Sequence, residues 1–560
     1  MPTADVLFTG GAIFTGAGEP LDGFAVAVVG DRIAALVRAD ETAALIGPAT
    51  EVVDLSGALL SPGFQDAHVH PVAGGTELLQ CNLADSADAA ESIARVAAYA
   101  LSHPDVEWIL GGGWSMDHFA GGAPTRQALD AVVPDRPVLL MSRDHHSTWA
   151  NTAAIRLAGI DRDTSDPVDG RIEREPDGAP AGTFHEGAGD LFAAARPAFD
   201  DELAYRGLLA AQAELIPLGI TGWQDAAVRA SGAGIPDPVP AYLRAAADGT
   251  LKVHVVGAQW WRRDGGIEQV EAIVAERDRI AELVDPRRVS LGAAKLMVDG
   301  VAENGTAAML SPYHDHHGHP TDNSGLSFID PELLREAVTA LDAAGIQAHF
   351  HALGDRAVRE ALDAVAAARG ANGPGGARHH LAHLQMIAES DVDRFAEHDA
   401  VANLQALWAT HEPQLDELTL PFLPDGAESR HYPFGDLVRA GTRLAAGSDW
   451  PVSSADPMQA IHVAVNRTFP GSDAEPLGGA AQQIDLVTAM TAYTSGTAYV
   501  NGREHDTGSI REGYLANLVV LSPDPFAAPA EQLHRTTVLS TWIEGAPVYR
   551  LSSVTVKEPS

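Results

Sequence analysis

The stretch "GFQDAHVHP" (residues 63–71) decides how the rest of the chain is read. Its alternating apolar residues, ended by a proline, predict a strand. His68 and His70 are two apart, and side chains on a strand repeat every two residues, so both imidazoles face one side. They stand at the strand's C-terminal end, where parallel barrels build their active sites. Two imidazoles so placed can bind one metal ion.

Seven more strand-like runs follow: "GITGWQDAA" (219–227), "LKVHVVGA" (251–258), "VSLGAAKLMV" (289–298), "IQAHFHA" (346–352), "RHHLAHL" (378–384), "AVANLQA" (400–406) and "TRLAAGSD" (442–449). Helical stretches rich in Ala, Leu, Glu and Arg separate them, such as "IEQVEAIVAERDRIAELV" and "PELLREAVTALDAAG". Alternating β and α units imply a parallel sheet, and eight of them match an α/β protein built on a (β/α)8 TIM barrel over residues 63–499. The gap after the first strand is too long for a simple crossover. An inserted α+β subdomain is therefore expected at about 72–215, and a connection of that length suits a cover over the active site. Residues 1–62 and 500–555 share a texture of short β-branched runs with Gly and Asp at the turns, predicting one small β-sandwich domain built from both termini.

The ligand-type residues recur at the predicted strand ends. His349 and His351 close the fifth strand, His383 the sixth and Asp449 the eighth. Each type is a good ligand for zinc or a related divalent ion, and all would meet at one mouth. Lys295 ends the fourth strand in a chain with only three lysines, the others being Lys252 and Lys557. Burial and nearby cations favour its neutral amine, which can add carbon dioxide to become a carbamate. The plainer reading is a substrate-facing or partly buried lysine in an ordinary ion pair.

Composition excludes several classes. With 37 basic against 76 acidic residues the net charge is −39, a field that repels nucleic acid and anionic lipid. The single cysteine, Cys81, excludes an internal disulfide and a cysteine-based zinc site. No long apolar run predicts a membrane span, and the N-terminus lacks a signal-peptide pattern, so a cytoplasmic protein is expected. No Gly-rich nucleotide fingerprint occurs; the runs at 232–240 and 369–378 read as loops.

The segments "SPGFQDAHVH", "DHHSTWANTAAI", "GAPAGTFHEGA", "KLMVDGVAENGTAAMLSPY", "HFHALGDRAV", "HLAHLQMI", "LAAGSDWPV" and "AYTSGTAYVNGREHDTGSIREGYLANLVVL" together resemble the amidohydrolase superfamily. Within it the chain is similar to the YtcJ-like branch, which includes N-substituted formamide deformylases. The resemblance implies that His68 and His70 bind one metal, that Lys295 as N6-carboxylysine bridges it to a second, and that His351 and His383 bind the second. It implies that Asp449 is both a ligand of the first metal and the catalytic proton acceptor. Two zinc ions are the implied cofactor, with manganese, iron or cobalt fitting the same ligands. The implied reaction is attack of a metal-bound hydroxide on an amide carbonyl, with Asp449 passing the proton to the leaving amine. One departure is Asn517, where the family usually has Asp after Ala.

Trp114, His146, Glu186 and His349 are candidates for contacting a small-molecule amide substrate. "YHDHHGHP" (313–320) reads as a polar loop on the same side of the barrel. A homodimer is one expected assembly. Two rivals remain: a mononuclear deaminase or other hydrolase on the same barrel, which would not need Lys295, and a non-catalytic regulatory or binding protein.

Overall fold

The computed structural model describes residues 3–230 and 236–551. Residues 232–235 of the expected loop at 232–240, Lys557, and the end of the expected 500–555 segment lie outside the described residues. The centre is an eight-stranded parallel sheet, nearly closed into a barrel. Its strands are β1 (Phe64–Val69), β2 (Ile220–Val228), β3 (His254–Trp260), β4 (Val289–Met297), β5 (Gln347–Ala352), β6 (His380–His383), β7 (Val401–Leu404) and β8 (Leu444–Ala446), neighbouring one another in chain order. Six fall within the run expected from sequence, while β2 and β3 coincide with theirs but run on by one and two residues, to Val228 and Trp260.

The helices between them show why the pattern works. Pro331–Ala343 starts where Asp330 accepts the backbone N–H groups of Glu332 and Leu333, with proline at the first position. It then buries Leu334, Ala337, Val338 and Leu341, spaced by three and four, against the barrel. Every residue of β1, β2 and β5 is buried, as a sheet covered on both faces requires.

No strand ladder joins β8 to β1, yet the seam is stitched just beyond β8. The Asp449 N–H donates to His68 O at 2.7 Å, and the His70 N–H donates to Trp450 O at 2.9 Å. The Asp66 carboxylate accepts the N–H groups of both His68 and Ser448. Gly447 makes this approach possible: a Cβ there would lie 2.5 Å from His68 N. The barrel therefore closes through the backbone of its candidate metal ligands.

A six-stranded sheet formed between Cys81 and Glu186 stands between β1 and β2. Its core holds Ile109, Trp114, Leu140 and Trp149. The helices flanking it, Pro71–Leu78 and Asp201–Leu215, touch closely because both carry glycine at the contact; a Cβ on Gly75 would sit 1.9 Å from Gly207 O. Strands from both termini form a four-stranded and a five-stranded sheet. These share a core of Phe8, Val26, Leu60, Leu518 and Trp542. Among the described residues, no helix is long and apolar enough to cross a membrane.

Candidate metal centre

The C-terminal ends of the strands open into a cavity of about 600 Å³ lined by His68, His70, Lys295, His351, His383 and Asp449. All six residues expected at a metal centre are thus brought to one place. Sheet register sets their depth: Lys295 pairs with His349, Met297 with His351, and Ala352 with His383. Asp449 Oδ1 lies 3.1 Å from Nε2 of both His68 and His70. Lys295 Nζ lies 3.3 Å from His68 Nε2, and the rings of His351 and His383 are 4.5 Å apart between centroids.

The donor set fits a divalent cation. One ligand atom each from His68, His383 and Asp449 lies within 4.8 Å of the others. Ligands about 2.0–2.2 Å from one tetrahedral ion lie a little over 3 Å apart, the separation Asp449 keeps from the two imidazoles. Both nitrogens of His383 are buried without hydrogen-bond partners. Buried polar atoms are normally matched, and the unmatched His383 Nδ1 lies 3.9 Å from Asp449 Oδ2, which suits a cation held between them. His383 and Asp449 also hold left-handed backbone, φ 77° and 57°, a strain that concentrates at functional sites.

Electrostatics agree. Burial lowers His68 to about 3 and holds His351 and His383 well below the usual histidine range, with neighbouring cations adding to the effect. These imidazoles are neutral, with lone pairs to offer. Burial works to raise Asp449, but His68 and the surrounding histidines overcome it and keep the carboxylate ionised. Burial drives Lys295 down to about 7 against the opposing charge of Asp449, so a large share of the amine is neutral near pH 7.

The four expected substrate contacts divide. His146 and Glu186 line the cavity, with Nδ1 2.9 Å from Oε1. Burial alone would neutralise both. Their attraction prevails, raising His146 to about 9 and lowering Glu186 to about 2. Thr306 donates to the same carboxylate, and Arg263 stands 3.6 Å away on its other oxygen. Trp114 does not line the cavity. It is 0% exposed in the core of the inserted sheet and donates its indole N–H to Leu140 O, because its strand turns that face away from the barrel. His349 does not line the cavity either; it lies one layer deeper, 2.8 Å from His68 Nδ1. In the loop at 313–320, His316, His317 and His319 are exposed.

Three features escaped the sequence reading. Asp66 shares the face of His68 and His70 two residues earlier, and burial raises it to about 7 against its hydrogen bonds. Asp299 accepts three backbone N–H groups and lies 3.4 Å from His351 Nδ1. Both continue a two-residue rhythm, 66-68-70 and 295-297-299, that could have marked them. Trp408 stacks on His383 at 5.3 Å from a single 3-10 turn, Ala406–Trp408, that no periodicity predicts.

Comparison with known proteins follows this geometry. The model of the amidohydrolase family matches residues 51–549. The chain is 31% identical to "Putative amidohydrolase YtcJ" of Bacillus subtilis (strain 168), over 90% of this chain and 92% of that protein. It is 29% identical to N-substituted formamide deformylase of Arthrobacter pascens, over 94% of each. An uncharacterized metal-dependent hydrolase from Pyrococcus horikoshii OT3 shares the fold, with a TM-score of 0.71 at 20% identity over 94% of this chain and 99% of that one.

Proposed function

The chain belongs to the amidohydrolase family, and we propose from that premise that it hydrolyses the carbon–nitrogen bond of a small amide with the help of divalent metal. The convergence of His68, His70, Lys295, His351, His383 and Asp449 on one cavity carries the reading. In this reading His68, His70 and Asp449 would hold one ion and His351 and His383 a second, and Lys295, as N6-carboxylysine, would be a ligand to both. Zinc is the expected metal, since neutral imidazoles and carboxylates suit it. Support for the carbamate lies in the buried Lys295 amine, which burial lowers to about 7.

When bound, such ions supply Lewis acidity, which lowers the pKa of water and polarises a carbonyl. The chain's own residues do the rest. Asp449, ionised and facing the cavity, takes a proton from the attacking water and returns it to the leaving nitrogen as the C–N bond breaks. His146, held by Glu186, lends a donor to the substrate. Leu139, Met141, Leu353 and Val452 line apolar wall that excludes water. The relative that deformylates N-substituted formamides supports an amide of that kind as substrate.

The same reading divides the chain into residues 63–499 as the catalytic barrel, about 72–215 as an insertion covering its mouth, and residues 1–62 with 500–555 as a β-sandwich. The core shared by the two terminal sheets supports the last of these. A cytoplasmic enzyme acting without nucleic acid or membrane, as a homodimer, completes it. The test is hydrolysis of a panel of N-formyl and N-acyl amines by metal-loaded wild type and Asp449→Asn. Turnover by wild type alone supports the proposal. No turnover by either, with metal bound, favours a non-catalytic binding protein instead.

A further inference from the structure

We propose that His349 is a positioning residue: it accepts a hydrogen bond from His68 Nδ1–H and thereby selects the His68 tautomer that leaves Nε2 free for a metal ion. The inference rests on reading the centre as a metal site. His349 Nε2 lies 2.8 Å from His68 Nδ1, the two rings meet edge to face at 4.7 Å, and both are buried. The opposite nitrogen, His68 Nε2, faces Asp449 Oδ1 at 3.1 Å and Lys295 Nζ at 3.3 Å. A neutral imidazole carries one proton. If Nε2 is to bind a cation, that proton sits on Nδ1 and needs an acceptor. His349 Nε2 is the atom within reach, so His349 must carry its own proton on Nδ1.

The surroundings bear this out. His349 Nδ1 is buried and unmatched, a cost that an apolar side chain would avoid. Its ring packs on His380 at 4.0 Å, yet His380 has no free nitrogen to offer. Asn403 Nδ2 donates to Ala67 O and stands 3.1 Å from His380 Nδ1, so that nitrogen accepts. His380 Nε2 then donates to Gln224 Oε1 at 2.8 Å, while Gln224 Nε2 donates to Gln347 Oε1. His380 and Gln224 are thus committed elsewhere, and what a histidine at 349 supplies is the acceptor at Nε2. Partners that hold a ligand's tautomer typically change metal affinity about 10- to 100-fold.

The test compares wild type, His349→Leu and His349→Gln. Apo-protein of each is titrated with zinc against a chromogenic chelator, and the His68 tautomer in zinc-loaded wild type is read by long-range nitrogen-15 NMR. We expect His349→Leu to weaken zinc binding about 10- to 100-fold. His349→Gln, whose Oε1 can accept the same bond, stays within a few-fold of wild type. The NMR places the His68 proton on Nδ1. Equal zinc affinity in wild type and His349→Leu overturns the inference alone, as does a His68 proton on Nε2 in loaded wild type. Wild type that binds no zinc, manganese or cobalt overturns the metal reading and this inference with it. Should His349→Leu fail to fold, the glutamine variant and the wild-type tautomer decide: a His349→Gln protein with zinc binding lost overturns the proposal.

Discussion

Replacing Glu186 with glutamine should expose how much the cavity's ion pair stabilises the protein. The Glu186 side chain is 2% exposed and His146 is 12% exposed, so solvent screens their attraction little. His146 stands at about 9 against an ordinary 6.5, a gap worth about 3 kcal/mol. The depression of Glu186 from 4.5 to about 2 contains the same interaction seen from the other side, with Arg263 and Thr306 adding to it, and the pair is counted once. The size agrees with the loss of about 3–5 kcal/mol typical when one partner of a buried pair is removed. The sign follows from each group. His146, raised on folding, contributes stability that is full below 6.5 and lost as pH rises through about 9. Glu186, depressed on folding, contributes stability that is full above 4.5 and lost as pH falls through about 2. Wild type should therefore exceed Glu186→Gln most between pH 4.5 and 6.5. Thermal unfolding of both proteins, followed by circular dichroism at about pH 6, 8 and 10, checks this. A Tm gap of a few degrees at the lowest pH that shrinks by the highest is expected. Equal Tm at pH 6, or a gap undiminished at pH 10, would refute the pairing.

Lys295→Ala should lower the metal-to-protein ratio from about two toward about one, with partial recovery in a short-chain carboxylic acid; elemental analysis reads it, and an unchanged ratio argues against a bridging lysine. Asp449→Asn should reduce kcat about 100- to 10,000-fold on any amide that wild type cleaves, since it removes the proton carrier; a kcat near wild type assigns that role elsewhere. Dialysis against a chelator should abolish turnover, and added zinc, manganese or cobalt should restore it; activity that survives complete metal removal would sink the metal-dependent reading. Trp114→Ala should cost about 3–5 kcal/mol of stability, seen as a lower Tm, while KM of the folded enzyme stays unchanged; a raised KM would place Trp114 at the substrate after all.

Much of this protein is legible along its chain because strands carry a short-range signature. Strand-like apolar runs alternating with helical stretches located all eight barrel strands, and their C-terminal ends marked His68, His70, Lys295, His351, His383 and Asp449. Those inferences need only local geometry, since a strand's direction determines which end of it meets the barrel mouth. Trp114 and His349 stand outside the cavity for the opposite reason. Whether a large aromatic faces a cavity or a core depends on what packs against it, and Trp114 meets Phe119 and Trp149 in the inserted sheet. His349 shares the face of His351, but its partner is 281 residues away, so periodicity gives its side and not its depth. The same holds for the seam. Asp66, Gly447 and Ser448 are unremarkable until β1 and β8 come together, when one carboxylate meets two backbone N–H groups and only glycine leaves room. Sequence by itself thus determined which strands form and which ligand-type residues they carry, because periodicity is local. Tertiary structure alone decided which groups pair, how deeply they are buried and therefore which are charged, because burial and partner distance arise only when remote segments share one interior.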